Sequence, residues 1–87
     1  MKIVFTKHVL KKQEILKELG WNVDLKLVEQ AVSRPDYFGK TSQNQPTAIK
    51  KLDESHILRV VYEIRNDIIT VITFHIARKG RYNPSMK

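Results

Sequence analysis

The chain has 87 residues, of which 41% are hydrophobic and 29% charged, with three Gly, three Pro and no Cys. That suffices for one globular core but not two; it excludes disulfide staples and thiolate zinc sites, and no window nears the roughly 18 apolar residues of a membrane span. A formal charge of +7 and a pI near 9.9 point to a polyanionic partner, because such a field releases the counterions condensed on nucleic acid.

In chain order, "KIVF" is a short apolar start without a small-residue cleavage site after it, so a soluble cytoplasmic protein is expected. Thr6 caps a helix that Gly20 ends. Within it Val9, Leu10, Ile15, Leu16 and Leu19 form an approximate apolar stripe, Lys7, Lys11, Lys12 and Lys17 point elsewhere, and His8 lies in the first turn. Asp24 caps a second helix, carried by Leu27, Val28, Ala31 and Val32 and stopped by Pro35. Trp21 is expected to plug the core between the helices. "PDYFGKTSQNQP" reads as a loop. The period then changes: "TAIKKLD" suits a short strand, and "HILRVVYEI" and "IITVITFHIA" are rich in β-branched and aromatic residues.

The register of the last two strands decides which side chains share a face. A two-residue loop, Asn66 and Asp67, pairs Arg65 with Ile68 and sets Arg59 opposite Phe74 on a mixed face. A three-residue loop pairs Ile64 with Ile68, Tyr62 with Thr70, Val60 with Ile72 and Leu58 with Phe74, which makes one face almost wholly apolar. Burial favours the second, since a one-residue slip turns every side chain over. Arg59 then lies across from Thr73, and Ile57 from His75, on the face that the helices leave open. That face would also expose Val61, Ile69 and Val71, the basis for expecting a homo-oligomer.

The basic residues are clustered: residues 1–20 carry five Lys against two Glu, 40–51 three Lys and no acid, and 78–87 four basic residues and no acid. A solvated Lys-rich surface is the plain explanation; an RNA-binding face is the functional one. His8, His56 and His75 lack the three- or four-residue spacing that puts two metal ligands on one helix face, so neither a metal nor another cofactor is expected. There is no phosphate loop, no Gly-x-Ser-x-Gly elbow and no Cys nucleophile. What remains is chemistry that needs cations and a proton carrier. Metal-free RNA cleavage is such a reaction: a base activates the ribose 2′-hydroxyl, cations stabilise the phosphorane and an acid protonates the leaving oxygen. Arg59 suits the phosphate by its planar fork, His8 or His75 suits the proton, and Tyr82 and Tyr37 suit stacking on a splayed base.

"FTKHVLKK", "LGWNVDLKLVEQAV", "RPDYF", "ILRVVYEI", "IITVITFH" and a terminal "RKGRY" together resemble the small uncharacterised domains grouped with BrnT-type and RelE/ParE-type toxins of toxin-antitoxin systems. The resemblance covers roughly residues 5–82 and leaves 83–87 as a tail of one domain spanning 1–87. It implies an α+β fold of the barnase/RelE kind, two N-terminal helices on a small antiparallel sheet. It also implies endoribonuclease activity, on the ribosome or on free RNA, held in check by an acidic antitoxin. Positions matching the basic and tyrosine residues of RelE-type ribonucleases are Lys50 or Lys51, Arg59, Arg78 or Arg81, and Tyr82; His8 matches the helix-start histidine of the uncharacterised domains. The expected catalytic set is therefore His8, Lys51, Arg59 and His75, with Lys50, Thr73, Arg78, Lys79, Arg81 and Tyr82 holding RNA. The competing reading is a non-catalytic module that binds RNA or a protein through the same face.

Overall fold

The computed structural model describes residues 2–78. Their elements are β1 (Lys2–Phe5), α1 (Lys7–Glu18), α2 (Leu25–Ser33), β2 (Tyr37–Lys40), β3 (Pro46–Lys51), β4 (His56–Arg65) and β5 (Ile68–Arg78). The strands form one sheet in the order β1-β5-β4-β3-β2. Val9 of α1 and Val28, Ala31 and Val32 of α2 share a core with Leu58, Val60, Tyr62 and Phe74 of the sheet. The fold is α+β with both helices N-terminal to most of the sheet.

The helix ends follow their local chemistry. Thr6 Oγ1 accepts from the Val9 N–H at 3.3 Å, and Asp24 accepts from the Leu27 N–H at 2.8 Å, each satisfying an orphan donor of a first turn. Gly20 has φ +92°; its N–H donates to the Lys17 carbonyl at 3.1 Å, and the Trp21 N–H to the Leu16 carbonyl at 2.8 Å. This pair of bonds closes α1 through a left-handed residue and folds Trp21 back beside Leu16. Trp21 is accordingly half-buried at the margin of the core, rather than a plug between the helices. Of the expected α1 stripe only Val9 is buried, with Leu16 partly so; Leu10, Ile15 and Leu19 are exposed. The reason is position. β1 pairs with β5 only as far as Phe5 and Val71, and α1 runs beside the edge of β5 beyond that point, touching it along a narrow strip.

Two strands arise where none was expected. "KIVF" is β1 and runs parallel to β5 from Lys2 against Ile68 to Phe5 against Val71, so the sheet is mixed rather than antiparallel throughout. Tyr37–Lys40, inside the expected loop, pairs antiparallel with β3. Each has four residues, too few for a period to show.

The hairpin of β4 and β5 corrects the expected register. Asn66 and Asp67 form a two-residue turn with φ 50° and 63°, the paired left-handed conformation that matches the twist of the strands. Arg65 therefore pairs with Ile68 and Ile64 with Ile69. Beyond the turn a bulge intervenes: Tyr62 faces Val71 while Val61 faces Thr73, leaving Ile72 as the extra residue. From there Val60 faces Phe74, Arg59 faces His75, Leu58 faces Ile76 and Ile57 faces Ala77. A uniform register has to choose between a favourable turn and an apolar core face; the bulge permits both. Val61, Ile69 and Val71 are 4%, 9% and 0% exposed, and the last two belong to the helix-packed core. The apolar patch on which a homo-oligomer was expected is thus not formed by these residues. No helix among the described residues is long and apolar enough to cross a membrane.

Candidate functional site

α1 begins one residue after β1 and rises alongside the open edge of β5. The Thr6 N–H donates to the Val71 carbonyl at 3.4 Å and its hydroxyl to the Ile72 carbonyl at 3.3 Å, which anchors the helix start at the bulge. Four helical residues advance about 6 Å, and two strand residues about 6.7 Å, so side chains at i and i+4 of α1 meet alternate residues of β5. The first rung is His8 Nε2 at 3.2 Å from Thr73 Oγ1. The second is Lys12 Nζ at 3.0 Å from His75 Nδ1. Arg59 joins from β4, directly opposite His75 and flanked on its other side by Ile49 of β3.

The charges acting on His75 are all positive. Burial first, then the ammonium of Lys12, the guanidinium of Arg59 and the ring of His8 hold its pKa below the ordinary 6.5. At neutral pH the ring is uncharged. Burial likewise lowers the pKa of Lys12. An ammonium has donors only, so the Lys12 contact makes Nδ1 of His75 an acceptor and leaves the ring proton on Nε2. Here a neutral imidazole holds a partly desolvated ammonium, next to a second imidazole and a guanidinium. Such a cluster is suited to a phosphate: the anion relieves the mutual repulsion of the cations, and Arg59 and Lys12 bring charge-assisted donors.

The expected residues divide accordingly. His8, Arg59, Thr73 and His75 are brought together; the last three share a face as expected, although through a different strand register, and His8 reaches them from α1. Lys51 lies opposite Ile57 on the same sheet face, and its ammonium stands over the Tyr37 ring, 5.9 Å from the centroid. Lys50 is opposite Leu58 and donates to the Arg34 carbonyl at 3.2 Å; its place on the helix-covered face removes it from the site. Tyr37 packs on Ile49 and Ile57. Arg78 is opposite His56 and lines a cleft shared with Lys12 and His75. Lys79, Arg81 and Tyr82 lie outside the described residues. Lys12 is the addition. Its spacing of four from His8 carried the signal, but only the placement of α1 against β5 gives that spacing a meaning.

Among the described residues no group of three or more His, Cys, Asp or Glu stands where it can hold a metal ion. No protein-family model, curated protein or solved structure matches the chain.

Proposed function

We propose that the chain is a toxin-like, metal-independent endoribonuclease that cleaves RNA at the cluster of His8, Lys12, Arg59 and His75. The observation that carries this reading is the convergence of two imidazoles and two cations over one face of β5, His8 and Lys12 from α1 on one side and Arg59 from β4 on the other. His8, exposed and held at Nε2 by the Thr73 hydroxyl, takes the proton of a ribose 2′-hydroxyl. The 2′-oxygen attacks the adjacent phosphorus, forming a cyclic phosphate as the bond to the 5′-oxygen breaks. Arg59 binds the phosphate oxygens as their charge grows. Lys12, its pKa lowered by burial, protonates the leaving 5′-oxygen, while His75 holds the ammonium in place through Nδ1. The partners of this reading are RNA, free or on the ribosome, and an acidic antitoxin able to cover the basic face; its setting is cytoplasmic.

A second reading, a non-catalytic module binding RNA or an acidic protein, draws support from one detail. Lys12 occupies the Nδ1 lone pair of His75, so only His8 of the two rings is poised to accept a proton. Incubation with labelled RNA decides between them. Cleavage by the wild type, lost in His8→Ala and in Arg59→Ala with folding intact, is the expected result; RNA that is bound but left whole at every pH supports the binding module instead.

A further inference from the structure

The two rungs between α1 and β5 are followed by a gap. At the same spacing Leu16 falls level with Ala77, and both line a cleft of about 610 Å³ shared with Lys12 and His75. Its size falls within the range of about 300–1,000 Å³ typical of small-ligand sites.

The far end of the cleft is aromatic. The left-handed turn at Gly20 brings Trp21 back against the end of α1, where its ring meets His56 edge-on, with centroids 4.9 Å apart and planes at 71°. His56 is fixed from behind: its Nδ1 lies 3.1 and 3.2 Å from the two carboxylate oxygens of Asp53. That carboxylate also accepts the Ser55 and His56 N–H groups at 2.7 Å each. With Nδ1 so engaged, Nε2 is the nitrogen left for a ligand in the cleft. Arg78, across the ladder from His56, and Lys12 also line the cleft and bring a cation each.

We infer that this cleft receives one unstacked nucleobase of single-stranded RNA, packed on Trp21 and bonded by His56, while the neighbouring phosphate lies on Lys12 and Arg59. A planar ligand with apolar faces, a hydrogen-bonding edge and an anionic neighbour matches that lining, and splayed bases are held in this manner by aromatic side chains. The inference rests on the RNA reading of the adjacent cluster and adds a base subsite to it. It also makes Asp53 a positioning residue, acting on the base through His56.

Trp21 is the chain's one tryptophan, so its fluorescence reports on the cleft directly. The probes are a short 2′-O-methyl oligonucleotide, which cannot be cut through its 2′-oxygen, and inorganic polyphosphate, which has no base. Binding of each is followed by anisotropy or competition, and Trp21 emission is recorded at saturation. The oligonucleotide is expected to quench Trp21 and polyphosphate to leave it nearly unchanged. Trp21→Leu, which keeps an apolar side chain on the core, should weaken oligonucleotide binding by roughly tenfold and polyphosphate binding little. Ala77→Leu puts a larger side chain into the cleft while leaving Trp21 unsubstituted and should produce the same split. Saturating oligonucleotide with unchanged emission, or equal losses for both probes in the two variants, overturns the base subsite while the phosphate cluster stands. Failure of both probes to bind the wild type overturns the cluster's reading and the subsite with it.

Discussion

Arg59 and His75 face each other across β4 and β5 because Ile72 is surplus to the ladder. Carried straight on from the turn, the register would set Arg59 against Phe74 and send His75 into the helices. The bulge turns Phe74 to the core and His75 to the face of Arg59, and it is tied to α1 by the hydrogen bond from Thr6 to the Ile72 carbonyl.

Thr6 therefore has two tasks, capping α1 and fixing its register on β5. Thr6→Ala should lower stability by about 0.5–2 kcal/mol, the usual range for a lost N-cap. It should also weaken polyphosphate binding, because His8 and Lys12 lose their alignment with Thr73 and His75. Thr6→Ser should restore most of both. Urea unfolding and a polyphosphate titration on the three proteins check the pairing of the two effects.

Salt dependence separates the lysines that face phosphate from those that do not. Each phosphate neutralised on a single strand contributes about −0.7 to the slope of log K against log salt. Lys12→Gln should make the slope for single-stranded RNA shallower by about that amount. Lys50, committed to the Arg34 carbonyl on the other face, should change it little when replaced by Gln. Equal slopes for Lys12→Gln and the wild type would remove Lys12 from the interface.

Much of this arrangement was legible in local chemistry. Thr6, Gly20, Asp24 and Pro35 mark the helices because caps and stops act over a few residues. Alternation along the strands also puts Arg59, Thr73 and His75 on one face, yet an unbroken hairpin pairs Arg59 with the wrong residue. A bulge depends on competition between turn geometry and core burial at two distant places, which alternation within one strand does not reveal. β1 is not legible for a similar reason: a four-residue segment becomes a strand when an edge is available to pair with, and that edge lies 66 residues away (Lys2 against Ile68). The role of Lys12 is not legible along α1 because its partner, His75, comes from the other end of the chain.

His75 should make stability depend on pH with a definite sign. Its folded pKa lies below the ordinary 6.5, through burial and then through Lys12, Arg59 and His8. The unfolded chain thus binds more protons on the acid side of that value, and stability rises with pH there. The contribution is present in full above about 6.5 and is lost as pH falls through the folded pKa. His75→Gln should flatten this part of the profile, measured as the urea midpoint between pH 4 and 8. Bound polyphosphate should reverse part of the shift by favouring the charged ring, so that binding near pH 6 takes up protons in the wild type and fewer in His75→Gln. Calorimetry in buffers of different ionisation enthalpy reads that uptake; equal uptake in both proteins would show that His75 does not sense the anion.

Gly20 links the helix end to the cleft. Its φ of +92° is disfavoured for a residue with a Cβ, while a Cβ built there meets nothing within 4 Å. The cost of Gly20→Ala is therefore conformational rather than steric crowding, on the order of 1–2 kcal/mol. Relief of that strain requires the turn to change, and with it the bonds from Gly20 to Lys17 and from Trp21 to Leu16. Trp21 would then leave His56. The expected result for Gly20→Ala is a lower urea midpoint together with a shifted Trp21 emission in the folded state, and Gly20→Asn, which tolerates left-handed backbone better, should recover part of each. A folded Gly20→Ala protein with wild-type stability and emission would show that the left-handed turn does not hold Trp21 at the cleft.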